Sequence, residues 1–94
     1  MPIHEINADR FDEVIGRTAA ERDYAAVVCE TVPTAFYETD DDVAVGVVIC
    51  DPGGDAISYG WEVYRGHECI ARGSELEDED AALVACVRAM VGRV

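Results

Sequence analysis

Apolar and polar residues alternate with a period of two over residues 57–65, which is the clearest pattern along the chain. The apolar members of this alternation are Ile57, Tyr59, Trp61 and Val63. A period of two is typical of a β-strand with one buried face. Gly66 and His67 follow, and glycine at the first central position of a two-residue turn accepts the positive φ that such turns require. The segment therefore predicts a strand that opens a β-hairpin.

The register of this hairpin follows from placing Gly66 and His67 at its tip. It predicts an ion pair, an apolar pair and a cation-π pair, all of which stabilise neighbouring strands. In order from the turn, the pairs are Arg65 with Glu68, Val63 with Ile70, and Trp61 with Arg72. We therefore expect Trp61 to be mostly buried beneath a C-terminal helix.

Two short helices are predicted before the strands. Asn7 has the position of an N-cap for the first helix, because its side-chain oxygen can accept from the unpaired backbone N–H groups of the first turn. Ile6 and Phe11 occupy the two positions of a hydrophobic staple around that cap. We therefore expect the first helix over about residues 8–16.

The second helix is predicted from a capping box formed by Thr18 and Glu21. Residues with helical spacing then form one face until Pro33 ends the segment. These residues are Ala20, Tyr24, Val27, Val28 and Thr31. The segment that begins at Tyr24 and ends at Glu30 is also rich in residues that favour strands. An additional edge strand there stays open as the alternative.

Two more strands are predicted over residues 34–39 and 43–50, joined by an acidic turn at residues 40–42. In the second of these strands, bulky residues occupy one parity and smaller residues occupy the other. The bulky set is Val45, Val47 and Ile49, and the smaller set is Ala44, Gly46 and Val48. A proline-glycine turn at residues 51–55 is then expected to pair Cys50 with Ala56.

The last helix is predicted to begin in the acidic run 75–80, because carboxylates are favoured at a helix N-terminus. Apolar residues follow on one side of this helix: Leu83, Val84, Val87, Met90, Val91 and Val94. The predicted fold class is therefore α+β in a single domain of residues 1–94. Two short N-terminal helices precede a four-stranded antiparallel meander, and the C-terminal helix packs on one face of the sheet.

The net charge of −13 comes from 20 acidic residues against 7 basic ones, and every basic residue is arginine. Such a charge repels nucleic acid phosphates and anionic membranes, and it favours a basic protein partner or simply keeps the protein soluble. The longest wholly apolar run, residues 43–50, is too short to span a bilayer. The N-terminal residues lack the basic and apolar regions of a secretory signal. We therefore expect a cytoplasmic protein that binds neither nucleic acid nor membrane.

No catalytic residue, metal site or cofactor is predicted. The four cysteines are isolated in the sequence, without the paired spacing of a zinc site: Cys29, Cys50, Cys69 and Cys86. Reduced thiols in strands and helices behave as small apolar residues, so we interpret them as inert core positions. His4 lies in an N-terminal segment expected to be mobile, and His67 lies at the hairpin tip.

The order strand, strand, helix at the end of the chain resembles the C-terminal half of the double-stranded RNA-binding domain family. The likeness covers the order of elements only. That family places lysines at the start of its last helix to contact RNA phosphates. This chain has carboxylates there instead: Glu75, Glu77, Asp78, Glu79 and Asp80. The acidic residues exclude RNA binding by that route.

Three glycines in the predicted strands form the candidate contact surface. The two predicted turns place Gly46, Gly60 and Gly73 opposite one another on the sheet face away from Trp61, with Glu62 at the border. Glycine inside a strand often marks the close approach of another backbone. A binding role predicts that Gly60→Val leaves the fold intact or slightly more stable and abolishes association. Tight packing within the chain itself is the alternative, and it predicts a loss of stability.

These features together predict a small acidic soluble protein that acts as a non-catalytic protein-interaction module. Its partner would be another protein or a second copy of the same chain. Two other functions stay open: a small thiol-dependent enzyme or redox protein, and an acidic mimic of nucleic acid that binds a basic DNA-binding protein.

Overall fold

Three helices and a five-stranded antiparallel sheet make up the residues that this computed structural model describes, which are 3–40, 44–53 and 56–91. In chain order the elements are β1 Ile3–Ile6, α1 Ala8–Ile15, α2 Ala19–Cys29, β2 Val32–Thr39, β3 Val45–Asp51, β4 Ser58–Arg65, β5 Glu68–Leu76 and α3 Glu79–Val91. The strands lie in the sheet in the same order as in the chain. The predicted acidic turn at residues 40–42 and the predicted proline-glycine turn at residues 51–55 lie partly outside the described residues, and Val94 of the last predicted helix lies outside them.

The predicted α+β class is confirmed, but the meander has five strands rather than four. The additional strand is β1, which pairs with β2 from Ile3 opposite Thr39 to Ile6 opposite Phe36. Ile3 packs against the core on one face of the sheet, and Ile6 packs against the core on the other. Because each face receives one apolar residue of β1, the sequence shows no alternation with a period of two. The strand could therefore not be predicted from its hydrophobic pattern.

The N-terminal helices begin at the caps that the sequence predicted. The Asn7 side chain accepts a hydrogen bond from the backbone N–H of Arg10 at 2.8 Å. Thr18 and Glu21 form the reciprocal capping box at the start of α2. Because α2 stays helical to Cys29, the alternative of an edge strand in this segment is wrong.

The last helix also begins inside the predicted acidic run, although later than the run itself starts. The Asp78 carboxylate accepts from the backbone N–H of Ala81 at 2.7 Å, which caps the first turn of α3. The earlier part of the run belongs to β5, where Glu75 has a positive φ of 62°. The acidic residues therefore serve both the end of a strand and the start of a helix.

The sheet separates two hydrophobic clusters, one on each face. On the first face, α3 contributes Ala82, Cys86 and Met90 against Val48 and Val63 of the sheet and against Ala44, which directly precedes β3. On the second face, α1 contributes Phe11 and Ile15 against Val45, Val47 and Tyr64. The smaller residues of β3 therefore face α3, and the bulky residues face α1. This is the structural reason for the predicted alternation of small and bulky residues.

The β4–β5 hairpin keeps the first predicted pair, Arg65 with Glu68. The register then shifts between Tyr64 and Val63, because Ile70 is an extra residue in β5 without a partner in β4. Ile70 is 36% exposed instead of lying in the core. A bulge of this kind moves the next pairs by one residue, and a second shift follows between Trp61 and Tyr59, so turn chemistry alone could not predict the pairs beyond them.

Beyond the bulge, Trp61 pairs with Gly73 and Glu62 pairs with Arg72. The predicted partners of Trp61 and Val63 are therefore wrong. The Trp61 side chain does pack against the core beneath α3, but it is only partly buried. The indole occupies the space above Gly73, where a side chain would collide with the ring.

The close approach of α3 to β3 depends on Gly46. A Cβ at this position would lie 2.6 Å from Sγ of Cys86 and 2.7 Å from Sδ of Met90. We expect Gly46→Ala to lower the free energy of unfolding by about 1–3 kcal/mol, because the short Cys86 side chain cannot move away without a shift of α3. Gly53→Ala is the matched control on the exposed loop, where the nearest atom would be Oδ1 of Asp51 at 3.3 Å.

Denaturant titration of both variants and of the wild type measures how much each substitution lowers the free energy of unfolding. The control is expected to change the free energy of unfolding by less than about 0.5 kcal/mol. Equal losses in the two variants would contradict the assignment of Gly46 as the packing position for α3.

Candidate functional site

The structure does not bring the three predicted glycines into one row. Their partners in the sheet are Val63 for Gly46, Ile49 for Gly60, and Trp61 for Gly73. The connection between β3 and β4 is longer than predicted, so that Cys50 pairs with Tyr59 rather than Ala56. A shift by an odd number of residues exchanges the two faces of a strand, which separates Gly46 from Gly60.

Each of the glycines instead allows a close contact within the chain. Gly46 lies beneath α3, and Gly73 lies beneath the Trp61 indole. A Cβ on Gly60 would lie 2.8 Å from the carbonyl oxygen of Gly73. The backbone that approaches Gly60 is therefore the neighbouring strand β5. We now expect Gly60→Val to destabilise the fold, which is the opposite of what a binding role predicted.

Gly60, Gly73 and Glu62 nevertheless border one groove. It lies over β4 and β5 on the sheet face that carries α1 and α2, and its volume is about 430 Å³. Arg72 and Ser74 of β5 also line it. The groove exists because α1 packs over β2 and β3 and leaves the β5 side of this face uncovered. Of the four predicted site residues, Gly46 alone lies elsewhere.

A second cavity of about 150 Å³ lies between α2 and the sheet. Aromatic and aliphatic side chains form most of its wall, and the inner face of α2 contributes Ala25, Ala26 and Cys29. Thr31, Ile49 and Glu62 line both this cavity and the groove. The two spaces are therefore neighbours across the same face of the sheet.

A hydrogen-bonded group of polar residues stands between the two spaces. The Tyr64 hydroxyl donates to Oε1 of Glu62 at 2.7 Å, and the Arg17 guanidinium lies 5.9 Å from the centre of the Tyr64 ring. Burial, and then the carboxylate of Glu62, raise the pKa of Tyr64 to about 12. Nearby Cys69, and then Glu62, raise the pKa of Arg72. At neutral pH this group therefore holds a protonated tyrosine and a charged arginine.

An ion pair fastens α2 to α1. The carboxylate of Asp12 is buried, and it pairs with the guanidinium of Arg22. The Arg22 side chain also lines the cavity beneath α2. Breaking such a buried pair on one side is costly, because it leaves an uncompensated charge.

A separate ionic cluster holds β1 in place. Arg10 donates to both carboxylate oxygens of Glu38, at 3.1 and 2.7 Å, and His4 bridges toward Glu38 and Asp40. These bonds raise the pKa of Arg10, with Glu38 as the largest cause and Glu13 second. His4 therefore lies in an ordered strand, and the expectation of a mobile segment is wrong. The structural role of this cluster is to attach β1 and α1 to each other through Glu38.

The outward face of α2 carries apolar residues that contact no core. Tyr24, Val27 and Val28 are 72%, 74% and 61% exposed, and we call these three residues the α2 strip. No residue of α2 is fully buried. The sequence placed the strip on the helical face expected to pack, whereas the inner face is formed by smaller residues and Arg22. The two adjacent alanines opposite the strip were the signal that could have identified the inner face.

The cysteines differ in their surroundings. All four thiols are free; Cys86 is buried as predicted, and Cys50 and Cys69 are partly buried. Cys29 is exposed, so its interpretation as a core position is wrong. Across residues 3–40, 44–53 and 56–91, no three side chains of His, Cys, Asp or Glu are arranged to hold a metal ion. Within the same residues, no helix has both the length and the apolar character needed to cross a bilayer. Comparisons with protein-family models, curated proteins and solved structures find no significant match to the chain.

Burial raises the pKa of Cys86 to about 12, against 9.0 for an ordinary thiol. The unfolded chain then loses this proton near pH 9 while the folded chain keeps it, so this contribution to stability is complete below pH 9 and falls as the pH rises toward 12. Between about pH 8 and 10, we expect the wild type to lose about 1.4 kcal/mol more stability than Cys86→Val.

Denaturant titrations at the two pH values measure this difference, with Cys29→Ala as the control for an exposed thiol. The Cys29→Ala control should show the same pH dependence of the free energy of unfolding as the wild type. A Cys86→Val variant with the same pH dependence as the wild type would show that the thiol ionises equally in both states.

Proposed function

We propose that the chain is a non-catalytic protein-interaction module that docks its partner through the α2 strip. The observation that supports this most strongly is the exposure of Tyr24, Val27 and Val28 on a helix that buries none of its own residues. Positions i, i+3 and i+4 lie side by side on a helix, so the three side chains form one contact surface. Burying each of them in an interface would recover roughly 1.5–3 kcal/mol. Anchors with this spacing are typical of helix-in-groove recognition.

The charges beside the α2 strip favour binding of a basic protein over binding of a second copy of this chain. Glu21 and Asp23 on α2, and Glu30 at its end, are exposed around the three apolar residues. A second copy would bring the same carboxylates face to face, in a chain that already carries a net charge of −13. Like charges opposed across an interface disfavour association, and opposite charges accelerate it. The proposed partner surface is therefore apolar at its centre and rich in arginine or lysine at its border.

The buried thiol of Cys86 supports a role without catalysis. A thiolate is the nucleophilic form of cysteine, and Cys86 stays protonated at neutral pH because it is buried. Four free cysteines also fit a reducing compartment, which supports the cytoplasm as the place where the module acts.

Two amphipathic peptides test the proposal, one built from leucine and lysine and the other from leucine and glutamate. We expect the lysine peptide to bind, and Tyr24→Gln/Val28→Gln to weaken its binding about tenfold or more, because two buried anchors are lost. Glutamine is a good helix former, so the substitutions should keep α2 helical. The matched control is Val84→Gln/Val91→Gln on α3, where the two valines are 49% and 41% exposed.

Fluorescence anisotropy of the labelled peptides gives the affinities. Equal weakening by both double variants, or none by either, would mean that the peptide binds the acidic surface in general and would contradict docking at the strip. Sedimentation of the protein without peptide tests whether the chain binds a second copy of itself. A dimer that dissociates on Tyr24→Gln/Val28→Gln would overturn the assignment of a basic partner.

A further inference from the structure

The cavity beneath α2 has the size of one aromatic ring. Its volume is about 150 Å³, and an apolar cavity of about this volume binds benzene in another protein. The apolar part of the wall comes from α1, α2 and the sheet, and includes Phe11, Ala25, Ala26, Phe36, Val47 and Ile49. A ligand that fits this cavity therefore has an apolar part no larger than one aromatic ring or a short branched chain.

The charged residues of the cavity wall are Arg17, Arg22 and Glu62. Two of them already have a counterpart. Arg22 pairs with Asp12, and Glu62 accepts from Tyr64 and lies opposite Arg72 in the sheet. The Arg17 guanidinium lies 5.9 Å from the centre of the Tyr64 ring, and it interacts with the Tyr64 hydroxyl and, through its charge, with the Glu21 carboxylate. Within the part of the chain that the structure describes, no carboxylate lies within 4.0 Å of it. The guanidinium therefore has donors available toward the cavity.

Among the described residues Arg65, Arg72 and Arg88 also have no carboxylate within 4.0 Å, but they do not line this cavity, whereas Arg17 does. A guanidinium carries five N–H donors in a planar fork that matches the two oxygens of a carboxylate. The net charge of −13 repels anions at long range, but at physiological ionic strength that repulsion is screened beyond about 8 Å. The wall of the cavity itself carries two guanidinium groups, Arg17 and Arg22, and one carboxylate, Glu62.

We propose that this cavity binds a small monocarboxylate with an aromatic or branched aliphatic body. The body lies beneath α2 between the aromatic and aliphatic side chains, and the carboxylate accepts hydrogen bonds from Arg17 at the open side. The site is independent of the docking surface proposed above, because it uses the inner face of α2 and the α2 strip lies on the outer face.

Two probes of nearly equal shape separate the charge from the apolar body. They are para-fluorobenzoate and para-fluorobenzyl alcohol, observed by fluorine NMR with the intact chain. We expect the carboxylate to bind at least about tenfold more tightly than the alcohol, because hydrogen bonds between charged groups are the stronger ones. Arg17→Gln should remove this difference. Arg65→Gln, which removes an exposed arginine near the β4–β5 turn, should leave it unchanged.

A second variant tests the cavity itself. Ala26→Phe places a ring in the space that the ligand would occupy, so it should abolish binding of the carboxylate while the unfolding midpoint is kept or raised. Near-ultraviolet circular dichroism checks that each variant keeps its fold. Unchanged binding to folded Ala26→Phe would overturn the location of the site.

Two further outcomes would overturn the proposal. Equal binding of the two probes, or full binding by Arg17→Gln, would show that Arg17 does not select an anion. Absence of binding by the wild type up to about 10 mM, where even a weak complex of about −3 kcal/mol would be visible, would show that the cavity holds no such ligand.

Discussion

Strand β3 is covered on both faces, and the rest of the structure depends on how those two faces differ. Val45 and Val48 point to opposite faces and are 0% and 1% exposed. The face with small residues lets α3 lie close, because Gly46 leaves room for the sulfur atoms of Cys86 and Met90. The bulky face instead meets the aromatic cluster that α1 brings to the sheet. Both hydrophobic clusters therefore form without any fully buried residue from α2.

The position of α2 explains both proposed sites. Its sequence makes it a helix through the Thr18 capping box, and the Arg22 pair with Asp12 attaches it to α1. Its inner face is too small to fill the space above the sheet, which leaves the cavity. Its larger apolar residues point outward, which leaves the α2 strip. A helix held at its start and by an ion pair, without a core of its own, can contribute to binding on both sides.

Local interactions were predictable from the sequence, and interactions set by the whole sheet were not. The caps at Asn7 and Thr18 need only neighbouring residues, so their chemistry is visible in a short window. Strand β1 was missed because Ile3 and Ile6 serve opposite faces. The glycine row failed because a bulge at Ile70 and a longer β3–β4 connection changed the register. The outward face of α2 was not predictable, because periodicity shows that a helix has an apolar face but not where that face points.

Native-state hydrogen exchange tests most directly the claim that α2 is a helix outside the core. The amides of Val47 and Val48 lie in the central strand, and those of Val27 and Val28 lie in α2. If α2 opens without the sheet, its amides should be protected by at least about 2 kcal/mol less than those of β3, because few buried contacts oppose the opening. Equal protection in the two elements, with both exchanging only through global unfolding, would show that α2 is part of the cooperative core and would contradict this account.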